Sequence, residues 1–453
     1  MEPRASALIP FAVFAVFYVG LSLYAGIRGF DMPWYKVPMP IAFLIASSVS
    51  FLWGRKTLEE KVDVYVRGMG EPNIMTMCLI FILAGAFATI AKGSGAVDAA
   101  VTIAQVFVPA RLMVAGVFLV SCVISTAIGT SCGTIAAVAP VALGFSSPLG
   151  LSPALLLGSV VAGSMFGDNL SMISDTTIAA TRTQNVRMQD KFIANFGIAL
   201  PAAVLALAFY ACSGSSVGGD IASPELTWRH WLPVVPYLLI LILALCGFNV
   251  MALLFSGTLL SAVIGVCLGR FDLFGCLDLV GKGALGMSET LVVAILAGGL
   301  FRTVQANGGI DWLVGRISRL IDGPRSCEVG VSVLVAAINC FTANNTVAIV
   351  IAGPIAKECA ARAHGDPVRI ASVLDTCSCV VQGMLPYGAQ ILIAIGVAKG
   401  LDFSVGSFEL AGSLYYQPLL ALAVAASVLF RRRKDVCEWE VRPARGASGG
   451  RRP

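Results

Sequence analysis

The chain has 453 residues, of which 57% are hydrophobic and only 13% are charged, and its mean hydropathy is +0.85. These values exclude a soluble globular domain as the main body of the protein. The formal charge of +5 is matched by the segment 431–453, whose eight basic and three acidic residues indicate a cytoplasmic topology signal and not a nucleic-acid-binding arm. The 13 cysteines show no metal-binding or haem-attachment spacing, so no cofactor is expected.

Apolar stretches of about 15 to 20 residues, the length that a helix needs to cross roughly 30 Å of hydrocarbon, recur along the chain between short polar loops. They predict an all-α polytopic membrane protein with about ten transmembrane helices. A Gly/Ser-rich stretch divides the chain into two parts. We expect a first repeat over 1–212, a linker over 213–230, a second repeat over 231–430 and a basic tail over 431–453.

The two parts share an internal duplication. The triplet Leu-Ala-Gly at 83–85 recurs at 296–298, 213 positions later, and Pro140 is matched by Pro354, 214 positions later. Each part also contains, in the same order, a long apolar run interrupted by small polar residues and then a broken span. Duplicated halves of transporters commonly have inverted topology, with the binding site between discontinuous helices at the membrane midplane. The duplication therefore predicts two inverted-topology repeats.

The long runs 110–145 and 326–361 are interpreted as re-entrant hairpins, which enter and leave the membrane on one side. Each half then has an odd number of crossings, and both termini are cytoplasmic. Separately, we expect no lysine or arginine well inside a span. The first hairpin is expected to open from outside and the second from the cytoplasm. The positive-inside rule supports this count, because it places these basic clusters in the cytoplasm: Arg55/Lys56/Lys61/Arg67, Arg182/Arg187/Lys191, Arg316/Arg319/Arg325 and the tail from Arg431.

Polar residues occupy the middle of each predicted hairpin, at 125–134 and 339–346. A turn at membrane depth frees backbone groups, which need a polar cavity, water or an ion. Ser, Thr and Asn side chains supply neutral oxygens of the kind that hard cations prefer, although small residues also permit close helix packing. The candidate substrate-binding residues at the tips are Thr130, Ser131, Asn344, Asn345 and Thr346.

The spans 153–180 and 370–399 are interpreted as broken helices. The first contains Asp168 and Asp175, and an ionisable group at membrane depth is expected to be functional. On a regular helix the two would share one face, about 10 Å apart. Two carboxylates in one low-dielectric site favour a bound cation or a shared proton. Helix capping is the alternative role for each.

The second break carries amides where the first carries carboxylates. At an offset of 214, Gln382 matches Asp168 and Gln390 matches Thr176, and a proline between the two glutamines favours an unwound segment. Asp375 lies about two helical turns upstream of Gln382. A direct role in binding and a structural role are both open for Asp375.

The sequence GDNLSMISDTT at 167–177, together with QGMLPYGAQ at 382–390, resembles the NhaC family of sodium/proton antiporters. The resemblance covers about residues 40–430 and implies a homodimer with an inverted-repeat fold, in which a transport part moves between inward-facing and outward-facing states. Many members carry Lys-Met where this chain has Asn169 and Leu170, so ion stoichiometry is left open. The resemblance implies Asp168, Ser171, Asp175 and Thr176 as ion-site residues and Gln382, Tyr387 and Gln390 as candidates from the opposite repeat.

The leading hypothesis is a secondary active transporter that exchanges sodium for protons across a bacterial inner membrane, with Asp168 and Asp175 as titrating groups. The alternative is a sodium- or proton-coupled carrier of a small organic solute, an amino acid or a carboxylate, because the second half offers many amides for hydrogen bonding. An enzyme is not expected: residues 129–133 fit the G-x-S-x-G pattern, but they lack a preceding strand and a nearby histidine. The expected partners are sodium, protons and the lipid bilayer.

Overall fold

The structure is a computed structural model that describes residues 4–28, 37–52, 57–214, 231–246, 248–318 and 323–430. All regular structure within these ranges is helical. Nine helical stretches within them are long and apolar enough to cross a membrane. The prediction of an all-α polytopic membrane protein is confirmed. The basic tail and most of the predicted linker lie outside the described residues.

Most helices of the first half have a counterpart at the same place in the order of the second half. The first half consists of α1 (Ile9–Ile27), α2 (Met39–Leu52), α3 (Leu58–Met69), α4 (Pro72–Gly93), α5 (Ala96–Phe107), α6 (Met113–Ile128), α7 (Ser131–Gly144), α8 (Ser146–Leu149), α9 (Pro153–Leu170), α10 (Asp175–Gln184) and α11 (Met188–Ser213). The second consists of α12 (Trp231–Leu245), α13 (Val250–Cys267), α14 (Leu273–Gly286), α15 (Ser288–Ala306), α16 (Gly309–Ser318), α17 (Pro324–Thr342), α18 (Asn345–Arg362), α19 (Pro367–Met384), α20 (Ala389–Gly400), α21 (Ser407–Gly412) and α22 (Tyr416–Leu429). Helices α1–α7 correspond to α12–α18, and α9, α10 and α11 correspond to α19, α20 and α22. The inverted orientation of the two halves stays a prediction.

Each predicted hairpin is a pair of helices joined by a tight turn within the predicted polar stretch. α6 is followed by Gly129, which has a φ of 75°, and α17 is followed 214 positions later by Ala343, which has a φ of 49°. The next residues, Thr130 and Asn344, are extended, and α7 and α18 begin directly after them. The left-handed residue reverses the chain in both hairpins. Entry and exit on one side of the membrane remain a prediction.

Both predicted broken helices are interrupted at equivalent positions. α9 ends at Leu170 and α10 begins at Asp175, while α19 ends at Met384 and α20 begins at Ala389, so the two interruptions are 214 positions apart. In the second break Pro386 has no amide hydrogen to continue the helix. The chain at each break exposes backbone groups that need other partners.

The amphipathic helices α3 and α14 pack against the long helices of the opposite half. Gly283 of α14 faces Gly85 of α4 so closely that neither residue has room for a Cβ atom. Gly68 of α3 lies against Gly298 of α15 in the equivalent contact. Small residues let helix backbones approach in this way. The same kind of glycine–glycine contact therefore joins the two halves at two places.

Candidate cation site at the helix breaks

The two helix breaks and the two hairpin tips meet one another. α7 contacts α20 and α10 contacts α18, so each hairpin packs against the broken helix of the other half. Gln390, in the first turn of α20, donates from Nε2 to Ser131 Oγ at 2.9 Å. Gln382, near the end of α19, donates from Nε2 to the Ala343 carbonyl oxygen at 2.9 Å. Polar side chains therefore connect the second break with both tips.

Asp168 lies in the last turn of α9 and is 5% exposed. Its Oδ2 accepts a hydrogen bond from Ser131 Oγ at 2.9 Å, and its Oδ1 accepts one from Ser174 Oγ at 2.5 Å. The Ser174 hydroxyl also lies 2.8 Å from the Thr176 hydroxyl. We call Asp168, Ser131, Ser174 and Thr176 the Asp168 cluster. It combines one carboxylate with hydroxyls from the first helix break and the first hairpin tip.

Asp168 differs in its charge balance from the other buried carboxylates. Among the described residues, the buried acidic side chains are Asp168, Glu328 and Asp375. Glu328 pairs with Arg369 at 3.0 Å, and Asp375 pairs with Lys191. Nowhere in the described ranges does a basic side chain form an ion pair with Asp168. Because a buried ionised carboxylate needs a compensating charge, Asp168 is suited to take up a cation or a proton.

Two buried amides beside the Asp168 cluster have unpaired atoms. Gln382 Oε1 and Asn345 Nδ2 have no hydrogen-bond partner, although buried polar atoms are nearly always paired. The Asn345 amide lies within reach of the Asp168 carboxylate. The Asp168 carboxylate and the hydroxyls of Ser131, Ser174 and Thr176 supply oxygen donors alone, which suit a hard cation. The described part of the chain holds no group of three or more His, Cys, Asp or Glu side chains that would bind a metal ion.

A second polar cluster lies on the other side of the first break. The Lys191 side chain is 1% exposed and forms an ion pair with Asp375, which is fully buried. Lys191 Nζ also donates to the Asn169 carbonyl oxygen at 2.9 Å and to Thr177 Oγ1 at 2.7 Å. Asn195 Nδ2 donates to Asp375 Oδ2 at 3.2 Å and to Asn169 Oδ1 at 2.8 Å. We call these five residues the Lys191 cluster.

The structure places Lys191 at the start of a membrane-spanning helix, whereas the sequence predicts it in a loop. The apolar run begins at 192, so the sequence places residue 191 in a cytoplasmic loop. α11 instead begins at Met188, which puts Lys191 in its first turn. The side chain can be buried because the Asp375 carboxylate balances the charge of its ammonium group and the Asn169 carbonyl oxygen accepts a hydrogen bond from it. For Asp375, the structure shows an ion pair with Lys191.

The structure does not bring Asp175 into the Asp168 cluster, and its predicted role as a titrating group stays a prediction. Asp175 is the first residue of α10, and its side chain is exposed. The helix is interrupted at 171–174, so the spacing of a continuous helix does not apply between the two aspartates. A carboxylate in the first turn complements the helix dipole, which gives Asp175 a structural position. The nearby buried aspartate in the described structure is Asp375, which belongs to the Lys191 cluster.

The sequence matches a known family over almost its whole length. A family model described as the Na+/H+ antiporter family matches residues 4–215 and 228–423. The chain belongs to this family. The Na(+)/H(+) antiporter NhaC of Bacillus subtilis is 24% identical over 422 residues, which cover 85% of this chain and 90% of that protein. The resemblance to NhaC is thereby confirmed, and the chain is a membrane antiporter by family.

Other relatives carry names that specify organic solutes. The malate-2H(+)/Na(+)-lactate antiporter of Bacillus subtilis is 21% identical over 81% of this chain and 85% of its own length. The arginine/ornithine antiporter ArcD of Halobacterium salinarum is 25% identical over 79% of this chain and 81% of its own length. Among solved structures, the Alcanivorax borkumensis YdaH transporter gives a TM-score of 0.40 at 13% identity, over 79% of this chain and 86% of that chain.

Several residues predicted for the antiporter's site have capping or packing contacts. Ser171 is buried, and its Oγ accepts a hydrogen bond from the Ile173 amide at 3.3 Å inside the first break. Asn344 caps α18, because its Oδ1 accepts from the Val347 amide at 3.0 Å. Tyr387 donates from its hydroxyl to the Cys340 carbonyl oxygen at 2.6 Å. These contacts order the break and the second tip around the Asp168 cluster.

The remaining predicted residues either neighbour the Asp168 cluster in sequence or connect to it through hydrogen bonds. Thr130 and Thr346 are half-buried next to Ser131 and Asn345 at the two tips. Gln382 and Gln390, matched to Asp168 and Thr176 by sequence offset, hydrogen-bond to each other at 2.8 Å. In the first break, Ser174 takes the intermediate position between Asp168 and Thr176. The two breaks thus place equivalent residues side by side.

Five residues of the two clusters were not predicted as site residues: Asn169, Ser174, Thr177, Lys191 and Asn195. The first three belong to the motif at 167–177, so their place in the motif was the available signal. Asn195 lies one turn after Lys191 on α11 and is fully buried. A lysine and an asparagine four positions apart at the start of an apolar run indicate a polar face on that helix. That spacing was the signal for the Lys191 cluster.

Proposed function

We propose that this antiporter exchanges sodium for protons at the Asp168 carboxylate. The observation that carries the proposal is that Asp168, among the described buried carboxylates, is the one without a basic partner. Hydroxyls from two separate segments already point at its two oxygens. A sodium ion would bind between the carboxylate and these hydroxyl oxygens, with Gln382 Oε1 as a further ligand.

The exchange follows from competition for one carboxylate. Burial disfavours an ionised Asp168 without a counter-charge. When sodium leaves, a proton restores neutrality, and when sodium enters, the proton must leave. A single group that holds either ion, but not both, couples the two movements in opposite directions. Ser131, Ser174 and Thr176 keep the carboxylate in place in both forms.

The moving part of the proposed cycle consists of the two broken helices and the two hairpins. In an inverted-repeat arrangement the first hairpin opens from outside and the second from the cytoplasm. A cavity of about 460 Å³, lined by Arg67, Arg302, Thr342 and Asn344, reaches the tip of the second hairpin. Because Arg67 belongs to a basic cluster assigned to the cytoplasm, the cavity supports cytoplasmic access to that tip. This topology places both termini in the cytoplasm of a bacterial cell, and the family likeness suggests a homodimer.

The proposal is tested with Asp168→Asn and Asp175→Asn proteins in proteoliposomes. Sodium added outside acid-loaded vesicles should drive proton efflux by the wild type and by Asp175→Asn, because the exposed Asp175 is outside the cluster. Asp168→Asn should show no exchange above protein-free vesicles, while it elutes as the wild type does from a size-exclusion column. Full exchange by Asp168→Asn would disprove the proposal. Loss of exchange in Asp175→Asn would restore Asp175 as a titrating group.

A sodium- or proton-coupled carrier of an organic solute is the second candidate. The cavity offers an organic solute both donors and acceptors, because its lining combines Arg302 and Asn344 with Glu71, while Arg67 pairs with Asp63 at 3.0 Å. The relatives named for malate and lactate, and for arginine and ornithine, make these solutes the first to test. Thermal unfolding with each solute, with and without sodium, separates the two candidates. A solute-dependent rise in melting temperature that requires sodium would favour the carrier.

A further inference from the structure

We infer that the Lys191 ammonium group permanently occupies a second cation site, so that one site per chain is left for an exchangeable sodium ion. The inference builds on the proposed function of Asp168. It concerns a different group of residues, the Lys191 cluster, whose side chains take no part in the proposed exchange.

The surroundings of Lys191 Nζ resemble a cation-binding site in chemistry. The nitrogen contacts the Asp375 carboxylate, the Asn169 carbonyl oxygen at 2.9 Å and the Thr177 hydroxyl at 2.7 Å. Carboxylate, carbonyl and hydroxyl oxygens are the ligands that hard cations take in proteins. The Asp168 cluster likewise offers a carboxylate and hydroxyls. The two clusters therefore present similar oxygen donors, and one of them is filled by the chain's own ammonium.

The end of α9 contributes to both positions. Asn169 is the penultimate residue of α9, and helix carbonyls at this end have no partner within the helix. The helix dipole also favours positive charge there. Lys191 and Asn195 both donate to this one carbonyl, at 2.9 and 3.2 Å. A positive charge at this position is thus stabilised by the break itself, whichever cation supplies it.

Neighbouring residues direct their polar atoms to opposite clusters. Asp168 and Thr176 contribute to the Asp168 cluster, while Asn169 and Thr177, one position later, contribute to the Lys191 cluster. The two cation positions are therefore built on the same short break. A tethered ammonium holds one of them at constant charge, and only the charge at Asp168 changes during exchange.

Asp375 retains other donors if the ammonium is removed. Its Oδ2 accepts from Asn195 Nδ2 at 3.2 Å, and its Oδ1 lies 3.7 Å from Cys379 Sγ. These contacts keep the carboxylate facing the position of Nζ. In a Lys191→Met protein, the Asp375, Asn169 and Thr177 oxygens would surround a space without positive charge. Sodium ions should enter that space, because the remaining carboxylate is buried and uncompensated.

Equilibrium binding of radioactive sodium to purified protein in detergent tests the inference. Wild type should bind one sodium ion per chain, Lys191→Met two, and the double variant Lys191→Met/Asp375→Asn one. Asp168→Asn should bind none, whereas Asp168→Asn/Lys191→Met should bind one at the vacated lysine position. Choline replaces sodium at constant ionic strength in the control samples.

The outcomes distinguish this inference from the proposed function. Retention of bound sodium by Asp168→Asn alone would overturn the assignment of Asp168 and leave the Lys191 test intact. One sodium ion per chain in a Lys191→Met protein that elutes as the wild type does would overturn the inference. If Lys191→Met aggregates without sodium, the inference requires sodium to restore its elution profile. Failure of sodium to do so, while Lys191→Met/Asp375→Asn elutes as the wild type does, would also overturn it.

Discussion

Ser131 at the first hairpin tip and Asp168 at the end of α9 are joined by a hydrogen bond of 2.9 Å. A serine hydroxyl has one hydrogen, so its donation to Asp168 requires it to accept from Gln390, whose Nε2 lies 2.9 Å away. Gln390 Oε1 in turn accepts from Gln382 Nε2 at 2.8 Å. All the donors in this chain of bonds point toward Asp168. Side chains from the second half of the chain are therefore linked, through Ser131, to the Asp168 carboxylate in the first half.

Replacement of Ser131 by alanine should weaken sodium binding. The change removes a donor to the carboxylate and a hydroxyl oxygen ligand, and hydrogen bonds to charged groups contribute about 1.5–3 kcal/mol. We expect the sodium dissociation constant to rise by about tenfold or more. Titration of sodium-dependent exchange in proteoliposomes measures this change.

Ser121→Ala is the matched control for this prediction. Ser121 is buried in α6, and its hydroxyl donates to the Val117 carbonyl oxygen of its own helix. Its loss should leave the sodium dissociation constant unchanged within twofold, as expected for a group outside the site. Equal effects of the two substitutions would show that Ser131 acts through general packing.

Gly129 and Ala343 allow a test of the hairpin turns. Both have positive φ, and alanine is strained there, so Ala343→Gly should raise the free energy of unfolding by up to about 1 kcal/mol. Gly129→Ala should lower it by more than about 1 kcal/mol, because its Cβ would also lie 2.7 Å from Ile173 Cγ1. Thermal unfolding of purified protein gives both signs.

Ala348→Gly is the control for the second hairpin. Ala348 is buried inside α18, where glycine is about 1 kcal/mol less favourable than alanine. The same substitution should therefore destabilise the protein at 348 and stabilise it at 343. A lower melting temperature for both variants would refute the strained turn.

The sequence allowed the prediction of features that repeat. The hairpin tips, the two breaks and Asp168 lie within polar segments that interrupt apolar runs, and the offset of 214 relates the segments to one another. Lys191 and Asn195 were missed because each is a single polar residue near the boundary of a span. The sequence does not show that the break leaves the Asp175 side chain exposed at the start of α10, outside the Asp168 cluster. The pairing of Lys191 with Asp375 depends on how α11 packs against α19, and a hydropathy profile contains no information on that packing.

The glycine contact between α4 and α14 should be sensitive to one methyl group. Gly283→Ala places a Cβ against the Gly85 carbonyl and the Thr89 hydroxyl. Such overpacking typically destabilises by about 1–3 kcal/mol. Gly281→Ala, two residues earlier on α14, meets no atom within 4 Å and should be neutral or stabilising. Melting temperatures of the two variants test whether close backbone approach, and not helix propensity, decides the effect.

The buried pair Glu328–Arg369 shows what an ion pair does away from the helix breaks. Arg369 is 17% exposed and donates to Glu328 Oε2 at 3.0 Å and to Ser427 Oγ at 3.1 Å. Arg369→Met should lower the free energy of unfolding by about 3 kcal/mol, since it leaves Glu328 without this partner. Unlike Lys191, Arg369 donates to no freed helix-end carbonyl in the described structure. Arg369→Met should therefore still bind one sodium ion per chain, and sodium should raise its melting temperature no more than that of the wild type. A second bound sodium ion in Arg369→Met would show that any vacated ion pair in this protein takes up sodium, and that the position of Lys191 at the break is not special.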